Sequence, residues 1–161
     1  FLKQPIKDFE DGFALKFYSA VRFSKAFWPT LCKNKGWIVS INGAMSHSPD
    51  PFFMVGGAVN AAFLNFTKAL SKRGLVDGVN VNSINPGMTS TDRLITIIQN
   101  NADREGISFV DAEKNALKNI GLDRFSTPEE VAELAYFLCD PKVRHLTGTE
   151  INLDGGKKPT I

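Results

Sequence analysis

The sequence predicts an α/β fold built on a parallel sheet. Three short runs, at 37–41, 79–84 and 150–153, are apolar or alternate at period two, as strands do. Longer segments of helical period lie between them. Helix and strand in alternation are the pattern of crossovers joining parallel strands.

The first helix is expected over residues 8–31. Phe13, Phe17, Ala20, Val21, Ser24 and Phe27 recur at i, i+3, i+4 and i+7 and form one apolar or small face. Pro29 lies near its end, and Lys33-Asn34-Lys35-Gly36 supplies a basic stop closed by glycine. Trp37-Ile38-Val39-Ser40-Ile41 follows as a buried strand, and 42–51 is a loop of Gly, Ser, Pro and Asp. Residues 55–72, rich in Ala, Leu and Phe without internal Pro, predict the second helix. The strand at 79–84 stops at Asn85-Pro86-Gly87, and helices follow over 91–100 and 108–119 around a polar break. Thr127-Pro128-Glu129-Glu130 is a capping box with Pro at the first helical position, launching a helix to about Cys139. The strand at 150–153 ends at Asp154-Gly155-Gly156. Three strands are few, since parallel strands want partners on both sides.

Composition narrows the function classes. The 161 residues are 43% hydrophobic and 22% charged, enough for one domain with a real core and against disorder. With 19 Lys+Arg against 17 Asp+Glu, net charge +2, the chain lacks the footprint of a nucleic-acid or anionic-membrane binder. No apolar run is long enough for a membrane span. Cys32 and Cys139 lie far apart, form neither a disulfide framework nor a metal cluster, and read as reduced thiols of a cytoplasmic protein. The N-terminal Phe1-Leu2-Lys3-Gln4-Pro5 has no initiator Met and no secretory-signal pattern, so it reads as the middle of a longer chain.

Four segments then carry a resemblance. Gly36-Trp37-Ile38-Val39-Ser40-Ile41-Asn42-Gly43, Val81-Asn82-Ser83-Ile84-Asn85-Pro86-Gly87 with Thr91, Arg124-Phe125-Ser126-Thr127-Pro128-Glu129-Glu130-Val131-Ala132, and Leu146-Thr147-Gly148-Thr149-Glu150-Ile151-Asn152-Leu153-Asp154-Gly155-Gly156 stand in order. They resemble the strand-end, "VNAIxPG", "TPEEVA" and "TGxxIxVDGG" motifs of the short-chain dehydrogenases/reductases. The resemblance implies a Rossmann-like, doubly wound parallel sheet, of which residues 1–161 form the C-terminal part of a single domain. The N-terminal nucleotide-binding βαβ units, with their Gly-rich turn, are expected outside this chain. Gly56-Gly57 lies inside a helix pattern and follows no strand, so it does not supply that turn.

The resemblance further implies hydride exchange between NAD or NADP and the carbonyl or alcohol of a small-molecule substrate, with no metal. The family uses a tyrosine acid/base, a lysine, a serine and a helix asparagine. Thr67-Lys68-Ala69-Leu70 matches the family's "TKAL" and fixes the register. It puts Asn60 at the lysine position, Gly56 at the tyrosine position, Gly43 at the serine position and Lys16 at the asparagine position. The asparagine and lysine positions have thus exchanged residue types, and one ammonium and one amide stay in the same pocket. Lys16, Asn60 and Asn42 are the candidate catalytic residues, with Lys16 supplying charge and a proton. Pro86, Gly87, Thr89 and Thr91 are the implied nicotinamide-side contacts. The competing reading is an inactive nucleotide-binding or oligomer-forming relative, since neither glycine has a side chain to donate or accept.

Lesser candidates complete the expectations. His47, between Ser46 and Ser48, is a loop histidine that either faces substrate or is solvated. Tyr18 reads as packing and Tyr136 as core. Ile95, Ile97, Ile98, Ile107 and Phe109, in the implied substrate lid over 91–119, line either an apolar substrate or a local core. Apolar side chains on the outer faces of the two long helices imply a homodimer or homotetramer.

Overall fold

The computed structural model describes residues 1–157. Its elements are α1 (Ile6–Gly12), a π-helical turn (Phe13–Tyr18), α2 (Ser19–Asn34), β1 (Trp37–Ile41), α3 (Met54–Asp77), β2 (Asn80–Pro86), α4 (Asp92–Glu105), α5 (Phe109–Ile120), α6 (Pro128–Leu138) and β3 (Glu150–Leu153). The strands form one parallel sheet in the order β1-β2-β3, with Ile38 opposite Val81 and Ile84 opposite Ile151. The predicted α/β class and all three strands are present, and the central strand is the most buried.

The first helix is not the uniform α-helix that the periodicity predicts. A π turn over Phe13–Tyr18 joins α1 to α2 and places Lys16 in the widened stretch. Insertions of this kind re-aim side chains and occur often at functional sites. The helix ends at Lys35, which takes the left-handed conformation with φ 49°, so the turn residue is this lysine rather than Gly36. Gly36 donates its N–H to Leu31 O over 2.8 Å and completes the stop. The capping box at Thr127 forms as predicted, with Glu130 as its return partner.

Two apolar cores result. One lies along the sheet, where Val81 and Ile84 are fully buried beside Val59, Phe63 and Val79. The other joins α4 to α5 through Leu94, Ile98, Ala102, Ala112 and Phe125, with Ile107 and Phe109 packed against them. Burying each such Leu or Ile side chain contributes about 1.5–3 kcal/mol. Ile98, Ile107 and Phe109 therefore pack in this local core, whereas Ile95 is exposed.

Tyr136, expected in the core, is 78% exposed: α6 turns it outward and buries Leu138 instead. Tyr18, expected to pack, is 50% exposed, and its ring contact is with its neighbour Phe17, 5.4 Å between centroids. Phe23 and Phe27 of α2 lie exposed and stacked on each other. Cys32 and Cys139 are free thiols. Among the described residues no helix is long and apolar enough to cross a membrane, and no cluster of potential metal ligands forms.

Candidate active site

The site is assembled where the first long helix, β1 and α3 meet. Lys16 Nζ donates to the backbone carbonyl of Asn42 at 2.8 Å and to Asn60 Oδ1 at 2.6 Å. Its centroid distance to the Phe63 ring is 6.0 Å. An ammonium has three N–H donors, so two bonds to protein leave one for a ligand. Burial, and after it the charge of Arg93, brings the Lys16 pKa down to about 8. The structure thus brings together the exchanged pair and the strand end that sequence analysis singled out.

Both glycines are matched to their neighbours. A Cβ at Gly43 would lie 2.8 Å from Asn60 Nδ2, so the carboxamide that holds Lys16 occupies the space a serine would need. A Cβ at Gly56 would lie 2.1 Å from Phe53 Cε1. The Phe53 ring therefore fills the space into which a tyrosine at 56 would project. Arg93, near the start of α4, rests over that ring with Cζ 5.9 Å from its centroid. At the other end of α4, Arg104 lies 4.3 Å from the Phe52 ring centroid. Sequence reasoning missed Phe53 and Arg93. Their signal was position: Phe53 stands just before α3, and Arg93 is two residues beyond Thr91.

Asn42 enters the site through its backbone. Its carbonyl accepts from Lys16, while its side-chain Nδ2 donates to Ser83 Oγ at 2.8 Å. The ladder continues through it, because Asn42 N–H donates to Ile84 O at 2.8 Å. His47 stands apart from Lys16: its Nε2 is 2.6 Å from Glu150 Oε1. The pair sits in a cleft of about 510 Å3 beside the Ala61, Leu64 and Lys68 flank of α3.

The four proposed cofactor contacts lie on one turn from strand to helix. Pro86 ends β2, and Gly87 N–H donates to Leu153 O at 2.9 Å. A Cβ at Gly87 would come within 3.0 Å of Asp154 Cα, so the close approach of the two strand exits requires glycine. Thr89 Oγ1 pairs with Ser126 Oγ at 2.9 Å. Thr91 caps α4, its hydroxyl oxygen accepting from Leu94 N–H at 3.4 Å. A helix N-terminus at a strand exit favours negatively charged ligand groups.

Residues 1–158 match the family described as enoyl-(acyl carrier protein) reductase. Over 126 residues the chain is 32% identical to NADPH-dependent reductase BacG of Bacillus subtilis (strain 168), covering 78% of this chain and 49% of that protein. It is 30% identical over 155 residues to D-beta-hydroxybutyrate dehydrogenase of Rhizobium meliloti (strain 1021), covering 94% and 60%. A short chain dehydrogenase family protein from Francisella tularensis subsp. tularensis SCHU S4 superposes with a TM-score of 0.89 at 28% identity, over 99% of this chain and 65% of that one. The chain spans about half the length of the curated relatives it matches.

Proposed function

Because the chain belongs to the short-chain dehydrogenase/reductase family, we propose that the protein is an NAD(P)-dependent oxidoreductase of carbonyl and alcohol substrates with an atypical catalytic site. Lys16, clamped between Asn42 O and Asn60 Oδ1 with one N–H to spare, is the observation that carries this reading. The names of the relatives support it, since BacG is an NADPH-dependent reductase and the Rhizobium protein a hydroxybutyrate dehydrogenase.

The residues present fit the nicotinamide half of such a cofactor. Lys16, Arg93 and the capped start of α4 make a donor-rich, cationic surface suited to a polyanionic nucleotide. Pro86, Gly87, Thr89 and Thr91 would hold the nicotinamide side. When bound, the reduced nicotinamide supplies a hydride. Lys16 polarises the substrate oxygen and delivers the proton, and general acid catalysis of this kind is worth about 10²–10⁴ in rate. Asn60 and the Asn42 carbonyl orient the ammonium, and the Phe63 ring lies along its flank. A homodimer or homotetramer would cover the exposed faces of α2 and α3, where Phe23, Phe27, Leu75 and Val76 lie. A cytoplasmic location belongs to the same reading.

Phe53 in the space of the missing tyrosine favours the second reading, an inactive relative that binds nucleotide or serves assembly. Full-length protein assayed for NADH and NADPH oxidation over a carbonyl panel separates the two. Turnover that falls about 10²-fold or more in Lys16→Met, with nucleotide affinity kept, supports catalysis. Nucleotide binding without turnover on any carbonyl supports the inactive relative.

A further inference from the structure

Among the described residues, the two cations of the site are in contact with neutral groups. Lys16 Nζ bonds two carbonyl-type oxygens, and the Arg93 guanidinium rests on the Phe53 ring. That ring lies against Gly56, one helical turn before Asn60, so Lys16 and Arg93 approach the same stretch of α3 from different helices. Their charges act on each other, and like charges held together favour an anion between them.

We propose that Arg93 is a specificity-determining residue that takes the carboxylate of an anionic carbonyl substrate, an oxo acid, while the substrate's carbonyl oxygen faces Lys16. This deepens the redox reading above and rests on it. A guanidinium presents a planar fork that matches a carboxylate with two parallel hydrogen bonds. The Phe53 ring, 5.9 Å from Arg93 Cζ, favours the guanidinium over its face and so keeps it on the side of α3 that Lys16 also reaches. In the reaction, hydride adds to the carbonyl carbon and the Lys16 proton to its oxygen, and the carboxylate is unchanged. Oxo acid, NAD(P)H and one proton give hydroxy acid and NAD(P)+. Lys16 regains its proton from solvent.

The test uses full-length protein, NADPH or NADH, and 2- and 3-oxo acids beside their methyl esters. Wild type is expected to prefer the acids by about tenfold or more in kcat/KM, a ratio that corresponds to about 1.4 kcal/mol. Arg93→Met brings the acid/ester ratio toward one, chiefly by raising KM for the acids, and Arg93→Lys restores part of it. Equal use of acids and esters by wild type overturns the proposal. So does an Arg93→Met loss of nucleotide affinity matching its loss with acids, which assigns Arg93 to the nucleotide phosphates. Should no carbonyl turn over, calorimetry with hydroxy acids and their esters decides on its own. Acid-selective binding that needs Arg93 keeps the anion site while the redox reading falls, and unselective binding removes both.

Discussion

Lys16 and Asn60 are joined by a 2.6 Å hydrogen bond from ammonium to carboxamide oxygen across two helices. The family resemblance implies the same two residue types at these positions in the opposite order, and on that reading the bond lets ammonium and amide still meet, reached from the other side. Gly43 is part of the same arrangement, because the Asn60 amide lies over its Cα.

A double-mutant cycle measures this bond. Lys16→Met and Asn60→Ala, alone and combined, are expected to couple by about 1–3 kcal/mol in denaturant unfolding, since the bond is charge-assisted and partly buried. Additive effects would show that the two side chains stabilise the fold independently.

Restoring the serine type at position 43 is expected to harm the protein. A Cβ there would sit 2.8 Å from Asn60 Nδ2, and yielding costs Asn60 its alignment with Lys16. Gly43→Ser should destabilise by about 1–3 kcal/mol, as overpacking does. In an Asn60→Ala background the cost should shrink, and thermal unfolding of the four proteins checks both statements.

Much of the fold was legible because it rests on local signals. The alternation at 79–84, the Thr127 capping box and the Pro86-Gly87 stop each act within a few residues of themselves. The π turn at Phe13–Tyr18 was not legible, because the apolar spacing from Phe13 to Phe27 fits an uninterrupted α-helix and π turns are rare. Motif register located Lys16, Asn60, Gly43 and Gly56, but what fills the room left by a glycine is a tertiary fact. Phe53 and Arg93 come from a loop and a distant helix, and no spacing rule joins them. Tyr136 failed for a related reason: an apolar helix gives no label for which flank meets the sheet when few strands are present to cover it.

The cap of α6 offers a stability test remote from the site. Thr127 Oγ1 accepts from Glu130 N–H at 3.3 Å, and Thr127 N–H donates to Glu130 Oε2 at 2.8 Å. Thr127→Ala removes the first of these and should cost about 1 kcal/mol. Chemical denaturation checks it, and Thr127→Ser should recover most of the loss.

The pH dependence follows from Lys16. Burial first, and then the Arg93 charge that faces it, lower its pKa from 10.5 to about 8. Between those values the unfolded chain holds a proton that the folded chain has released, so stability rises with pH across this window. The penalty is fully present below pH 8 and disappears above 10.5, and Lys16→Met should abolish this dependence. Activity runs the other way. Carbonyl reduction needs the ammonium as acid, so kcat/KM should fall by about tenfold per pH unit once pH exceeds about 8. Lys16→Arg keeps a cation that does not titrate in this range, so it should bind ligand, lose most of kcat and show no such limb. A wild-type profile flat from pH 7 to 9, or the same limb in Lys16→Met, would remove Lys16 from the proton path and leave it as an orienting charge.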